Sequence, residues 1–170
     1  KMLENNDLLK PEQLNKLNQQ MNTQFKKAFF DLLEEKVRQE PPDYDWITRL
    51  YQEIRTRLAS ILREGSANRK QIEDSMDVVL FRQMIENKAF GGVELYNLVG
   101  HVFELCKKLG SPARDNEVDK FKFQVLGLMK NNGTFAQIVP MFIKNANECI
   151  DNIYKDLQVV KENIERAKKK

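Results

Sequence analysis

Apolar side chains recur at steps of three and four along most of the chain, with polar residues between them. The first such stretch covers residues 12–39, directly after Pro11, and its apolar positions share one helical face. They are Leu14, Leu17, Met21, Phe25, Ala28, Phe29, Leu32 and Val37. Pro41 and Pro42 end this predicted helix, because neither ring nitrogen can donate a hydrogen bond and each ring disfavours helix in the preceding residue.

Two more helical stretches are predicted between these prolines and residue 90. Asp43 is suited to cap the second helix, since a short acidic side chain can accept from the free N–H groups of a first turn. The apolar stripe of this helix is Ile47, Leu50, Tyr51, Ile54, Leu58, Ile61 and Leu62, and its polar face includes Arg49, Glu53, Arg55 and Arg57. Residues 64–66 end it. A third stretch over 72–85, with a break near 75–77, stops before Gly91 and Gly92.

The second half of the chain continues the same periodicity. A fourth helix over 93–109 ends at Gly110, and Ser111 and Pro112 have the residue types of an N-cap followed by a first-turn proline. A fifth helix then runs to Met129, before the turn at 131–133.

The last segment has a heptad seam, in which steps of three and four alternate without a miss. Its members are Ile143, Ala146, Ile150, Ile153, Leu157, Val160, Ile164 and Ala167. The seam predicts a long last helix over about 141–168, bent or started by Pro140. The sequence therefore predicts an all-α fold: a single domain over 1–170, built as a helical bundle of five to six helices with a long, heptad-patterned C-terminal helix.

The seam has two interpretations. It packs across the preceding bundle, or part of it stays open for a homodimer or for a further half of a longer protein. We favour packing within the chain, because alanine at Ala146 and Ala167 suits close helix approach but makes a weak self-dimer.

Composition narrows the function classes. The 170 residues are 41% apolar and 31% charged, without the run of about 18 apolar residues that a membrane-spanning helix needs and without a leader pattern. A cytoplasmic location is expected. From Lys155 onward there are six basic and three acidic residues, whereas the remainder has 22 of each. This is typical of a solvated helix end, so no nucleic acid is expected as a partner.

Candidate chemistry is sparse. His101 and Cys106 are the one pairing that could supply a nucleophile and a base, but a spacing of five turns them away from a shared helical face. Cys149 is interpreted as a small apolar core residue. Gly91 and Gly92 lack the lysine and the preceding strand of a phosphate-binding loop. We therefore predict no catalytic residue, no metal site and no cofactor, and a protein that is not an enzyme.

Aromatic residues gather on both sides of the proline corner. They are Phe25, Phe29, Phe30, Tyr44, Trp46 and Tyr51. Packing between the two helices that meet there is favoured over a groove for a partner.

Three segments resemble the T-complex protein 11 family. They are KAFFD at 27–31, EPPDYD at 40–45 and KLGSPARDNEV at 108–118, and residues 72–90 are a looser match. The resemblance covers about residues 25–122 and depends mostly on the Pro-Ala-Arg-Asp element. It implies a non-enzymatic helical protein linked to cyclic-AMP and protein kinase A signalling, with animal members tied to sperm function. Family members are usually longer, with a further helical half.

The resemblance also selects candidate partner contacts. They are Pro41, Pro42, Tyr44, Pro112, Arg114, Asp115 and Glu117. For Arg114 and Asp115 a structural role is favoured, since an acid stabilises a helix start and Arg114 can pair with an acid on a neighbouring helix.

Two function hypotheses follow. The first is a protein-interaction adaptor in kinase-linked signalling, and the second is a structural or cytoskeletal assembly component that self-associates through its last helix. Both make other proteins the partners.

Overall fold

In the computed structural model of the chain, residues 23–88 and 92–169 are described. The predicted positions Pro11, Leu14, Leu17, Met21 and Gly91 lie outside the described residues, as does the side chain of Phe25. The described part is all-α, which confirms the predicted fold class.

The helices follow the predicted order. They are α1 (Thr23–Arg38), α2 (Tyr44–Ala59), α3 (Ala67–Ser75), α4 (Val78–Glu86), α5 (Val93–Leu109), a 3-10 turn (Pro112–Arg114), α6 (Asp115–Lys130) and α7 (Phe135–Lys168).

The break predicted near 75–77 is present, so the third helical stretch forms both α3 and α4. The Asp77 carboxylate accepts a hydrogen bond from the Leu80 backbone N–H at 3.0 Å and caps α4. Met76, between the two helices, is 1% exposed. The break lets a short connection turn inward and add an apolar side chain to the core.

The end of α2 differs from the prediction. Ile61 and Leu62 were expected on its helical stripe, but α2 ends at Ala59 and both residues lie in the connection to α3. Both are nevertheless fully buried. The periodicity identified them as core residues correctly, because burial does not require helical backbone.

The start of α7 also differs from the prediction. The helix begins at Phe135, and Pro140 lies inside it rather than starting it near residue 141. The cause is a capping box: the Thr134 side chain accepts from the backbone of Gln137, and Gln137 Oε1 accepts from the Thr134 N–H at 2.9 Å. This local signal begins the helix more than a turn earlier and outweighs the hydrogen bond that Pro140 cannot donate.

The core surrounds the first half of α7, which contacts α1, α2, α5 and α6. The rings of Tyr51 on α2 and Phe81 on α4 stack at 4.2 Å. Phe142 of α7 lies 6.3 Å from Phe81 and 6.2 Å from Phe103 of α5. These rings join four helices at one centre.

Candidate protein-interaction site

The corner between α1 and α2 borders a cleft of about 570 Å³. It is lined by residues 37–42 and Tyr44 of the corner, by Lys88 after α4, and by residues 134–136 at the start of α7. The candidate contacts Pro41, Pro42 and Tyr44 therefore lie side by side on an accessible surface. We call this surface the corner cleft.

Local contacts fix the shape of the corner. Asp43 accepts a hydrogen bond from the Trp46 N–H at 3.1 Å, and its other carboxylate oxygen lies 3.6 Å from Lys36 Nζ. The Thr48 hydroxyl donates to the Tyr44 carbonyl at 2.6 Å. The ring of Tyr44 lies 6.1 Å from that of Phe135, so the first residue of α2 packs on the first residue of α7.

The aromatic cluster at the corner divides in two. Phe29 of α1 packs on Trp46 of α2 at 5.8 Å, as expected for packing across the hairpin. Tyr44 instead faces α7 and the cleft. Packing across the hairpin is therefore confirmed for Phe29 and Trp46, and a partner contact at Tyr44 stays a prediction.

The rim of the corner cleft is charged. Arg38, Glu40 and Lys88 are all exposed, and none of them forms an ion pair with another residue in the described part of the chain. An apolar wall beside charges of both signs is typical of a protein-binding surface. A partner gains free energy by burying apolar area against the wall, and the rim charges orient the partner.

The Pro-Ala-Arg-Asp element has different surroundings. Ser111 caps the 3-10 turn by accepting from the Ala113 N–H at 3.3 Å. Arg114 then makes a bidentate contact with Asp156 of α7, at 2.9 Å from Nε and 3.0 Å from Nη2. Its Nη1 donates to Glu117 at 3.1 Å. The planar guanidinium thereby ties the start of α6 to α7.

The charges around Arg114 reinforce one another. The hydrogen bond to Asp156 and, to a smaller extent, the one to Glu117 raise the pKa of the Arg114 guanidinium. Asn152 of α7 donates to the other oxygen of Glu117 at 3.0 Å. Asp115 lies in the first turn of α6, where an acid favours the positive helix end. These contacts of Arg114 all lie within the chain.

Replacing Arg114 with alanine is expected to lower the free energy of unfolding by about 1 kcal/mol, since the lost pair is one-third exposed and partly screened. The stability of Arg114→Lys should lie between those of the wild type and Arg114→Ala, because an ammonium keeps the charge but not the two parallel hydrogen bonds. Thermal unfolding of the three proteins measures this. Unchanged stability together with lost partner binding would instead assign Arg114 to a partner contact.

The heptad seam of α7 is divided between core and solvent. Ile143, Ala146 and Ile150 are fully buried, and Ile153 and Leu157 are 5% and 9% exposed. This agrees with packing across the bundle. Beyond them, Val160 and Ile164 are each 51% exposed. An open seam for a homodimer or for a further half of a longer protein is therefore possible only in the last turns of α7.

The sequence of the chain matches a known protein family. The sequence model of the T-complex protein 11 family matches residues 2–157 of the chain. The chain belongs to the T-complex protein 11 family. The match extends well beyond the resemblance at residues 25–122 and includes most of α7.

Curated human relatives agree with this assignment. The chain is 32% identical over 116 residues to T-complex protein 11 homolog. The aligned part covers 61% of the chain and 22% of that relative. It is 28% identical over 116 residues to T-complex protein 11-like X-linked proteins 1 and 2, with the same shares covered. The chain thus matches about a fifth of the length of these relatives. No solved structure matches it.

In this family member the two groups of candidate residues are separate. The corner group adjoins residue 135 of α7 and the Arg114 group adjoins residue 156, positions about 30 Å apart along one helix. They cannot contribute to one small site. The corner group is the one that borders an open cleft.

A buried polar cluster was missed by sequence analysis. Arg57, predicted on the polar face of α2, points into the core and donates to Asn147 and Asp151 of α7, each at 2.6 Å. The Tyr154 hydroxyl donates to the Arg57 carbonyl at 2.6 Å, and burial raises the pKa of this phenol to about 12. Asn147 and Asp151, one helical turn apart on the buried side of α7, were the available signal.

The histidine and the two cysteines lie beside residues that sequence spacing did not indicate. His101 Nε2 lies 2.9 Å from the Ser75 hydroxyl of α3, and burial together with nearby Lys108 lowers the pKa of the imidazole. Cys106 of α5 and Cys149 of α7 border the same small pocket, and neighbouring Cys149 together with burial raises the pKa of the Cys106 thiol. Sequence spacing could not reveal this pairing, because it depends on how the two helices meet.

Two features are absent from the described residues. No group of three or more histidine, cysteine, aspartate or glutamate side chains there could hold a metal ion. No helix there is long and apolar enough to cross a membrane.

Proposed function

We propose that this T-complex protein 11 family member is a non-catalytic protein-interaction domain that binds its partner at the corner cleft. The observation that carries the proposal is the contrast between the two family-like elements. Pro41, Pro42 and Tyr44 border an open cleft whose rim charges form no ion pair with other described residues, whereas Arg114 is engaged in contacts within the chain. The exposed charges on the cleft rim make no ion pair within the described part of the chain and are therefore available to a partner.

The resemblance supports an adaptor role in cyclic-AMP and protein kinase A signalling, which would act in the cytoplasm. Purified regulatory and catalytic subunits of protein kinase A are the direct probes, each tested with and without cyclic AMP. Binding of either subunit supports the kinase link. If neither binds, the kinase link is wrong, and the corner cleft is then tested with partners captured from tissue extract.

Reversing the charge of Arg38 and Lys88 together is expected to weaken partner binding at least tenfold without changing thermal stability. Both side chains are exposed at the cleft rim and pair with nothing in the described residues, so they contribute little to folding. The measurement is isothermal titration calorimetry, in which the protein kinase A subunit that binds is titrated into the wild-type chain and into the R38E/K88E double variant. Arg63→Glu, an exposed reversal outside the cleft, is the matched control. Equal weakening by the control would remove the corner cleft from the proposal.

Self-association through the end of α7 is the second candidate. Val159, Val160 and Ile164 are 51–54% exposed on the last turns, and apolar side chains exposed together at helical spacing favour pairing with another helix. In this case sedimentation should show a concentration-dependent dimer that V160E/I164E abolishes. A monomer at all concentrations would exclude this candidate and leave the adaptor role unaffected.

A further inference from the structure

Another open groove lies between α3 and α5, away from the corner cleft. It has a volume of about 350 Å³, and its described lining residues lie within 68–75 of α3 and 101–108 of α5. We call it the α3–α5 groove. It shares no described lining residue with the corner cleft, so a ligand in it would bind independently of a partner at the corner.

The α3–α5 groove has an apolar floor and polar walls. Ile72 and Leu105 line it but are only 0% and 4% exposed, so they form its floor. The other described lining residues are all polar, and steps of three, four or seven place them on one face of their helix. They are Asn68, Gln71, Ser75, His101 and Lys108.

The ionisable groups of the groove are basic. They are His101 and Lys108, and none of the described lining residues is acidic. Burial and the nearby charge of Lys108 lower the pKa of the imidazole, whereas Glu104 opposes this shift. The Glu104 carboxylate is engaged by Lys122 of α6 at 2.9 Å. An anion between His101 and Lys108 would offset their mutual repulsion, and a cation would add to it.

The groove also offers hydrogen-bond donors that the fold leaves unused. The side chains of Gln71 and Lys108 are exposed and form no hydrogen bond or ion pair with other described residues. Side chains on a helix lean toward its N-terminus, so Lys108 leans back toward His101, about two turns earlier on α5. An anion near His101 therefore lies within the direction of the Lys108 ammonium.

The Ser75 hydroxyl is a further donor for a ligand. It donates to the Ile72 carbonyl at 3.0 Å, so its oxygen accepts from His101 Nε2, which lies 2.9 Å away. The same carbonyl accepts from the Met76 N–H at 3.2 Å. The hydroxyl can therefore turn to a ligand without leaving the carbonyl unsatisfied.

We propose that the α3–α5 groove binds the phosphate group of a small molecule, which accepts hydrogen bonds from Gln71, Ser75 and Lys108. A phosphate group has three acceptor oxygens and a charge of about −1.5 to −2, so it matches a site with several donors and no acid better than a carboxylate does. The volume of about 350 Å³ lies within the range of small-molecule sites and leaves room for an organic part.

The test is a nuclear magnetic resonance titration of the nitrogen-15-labelled full chain in phosphate-free buffer. Phenyl phosphate and inorganic phosphate are the probes, and benzoate is the carboxylate comparison. Both phosphates should cause saturable shifts of backbone amides at 68–75 and 101–108, and benzoate should bind clearly more weakly. Tighter binding of phenyl phosphate would identify a phosphate ester as the ligand, and equal binding would identify free phosphate. The phosphate group is recognised in both cases.

Three exposed positions provide the variants. Lys108→Gln should weaken phenyl phosphate binding about fivefold, the effect of losing an exposed ion pair. Gln71→Glu keeps the shape of the side chain but adds a negative charge, so it should weaken binding about tenfold or more. Lys70→Gln is the matched control, because Lys70 is an exposed lysine of α3 that does not line the groove. It should leave the affinity unchanged.

Three results would overturn the proposal. They are the absence of saturable shifts at 68–75 and 101–108, binding of benzoate as tight as that of phenyl phosphate, and equal weakening by Lys108→Gln and Lys70→Gln. The wild-type titration decides the first two without any variant.

Discussion

Replacing Phe142 with alanine is expected to lower the free energy of unfolding by about 4 kcal/mol. Phe142 is 2% exposed and lies at the point where α7 meets the rings of Tyr51, Phe81 and Phe103, at centroid distances of 6.4, 6.3 and 6.2 Å. Removing its ring leaves a cavity bordered by three large side chains that cannot all move inward. Denaturant unfolding measures the loss, and the melting temperature should fall by about 8–16 °C.

The matched control is Phe123→Ala. The Phe123 ring is 60% exposed, so its removal should change stability by no more than about 0.5 kcal/mol. Phe142→Leu keeps most of the volume and should cost about 1.5 kcal/mol or less. A loss at Phe142 no larger than that at Phe123 would mean that α7 does not occupy the centre of the core.

Replacing Asp151 with alanine is expected to lower the free energy of unfolding by about 3 kcal/mol. Asp151 is 6% exposed and lies 2.6 Å from Arg57, whose side chain is 17% exposed. The variant leaves a guanidinium among apolar residues with Asn147 as its remaining side-chain hydrogen-bond partner. Most of the cost is the desolvation of this unpaired charge, which water can offset only slightly at such low exposure.

An exposed pair on the same protein provides the comparison. Asp45 pairs with Arg82 at the surface, where the two side chains are 71% and 41% exposed. Asp45→Ala should therefore cost much less stability than Asp151→Ala, because water screens this pair. The double variant R57M/D151L should recover much of the stability that Asp151→Ala loses, because it removes both charges. If Asp151→Ala and Asp45→Ala cost the same, the buried pair is not a stabilising contact.

Much of the fold was predictable because helix periodicity is a local property. The end of α1 before Pro41, the cap at Asp43 and the break before Asp77 all come from the stereochemistry of a few adjacent residues. The predicted start of α7 near residue 141 is wrong, because the Thr134 and Gln137 capping box begins the helix before Pro140. Two local signals competed there, and their relative energies cannot be read from the letters alone.

The candidate site was predicted only in part. Resemblance selected both the corner residues and the Arg114 element, but it gave no reason to separate them. Only the coordinates show that the corner borders an open cleft while Arg114 binds Asp156, a residue 42 positions away. Pairings at such sequence separation depend on the relative placement of helices, which periodicity does not specify.

The sequence by itself determined the all-α class, the helix order and most of the apolar faces, because each depends on intervals of three and four residues and on caps. Leu32 and Val79 are exceptions, since they were predicted on apolar faces but are 39% and 67% exposed. The tertiary structure alone decided what meets across those faces: Arg57 with Asp151, Cys106 with Cys149, and buried Leu157 followed by exposed Val160 on one unbroken seam. The physical reason is that a heptad pattern depends on the residues of one helix, whereas the burial of its apolar side depends on where the neighbouring helices end.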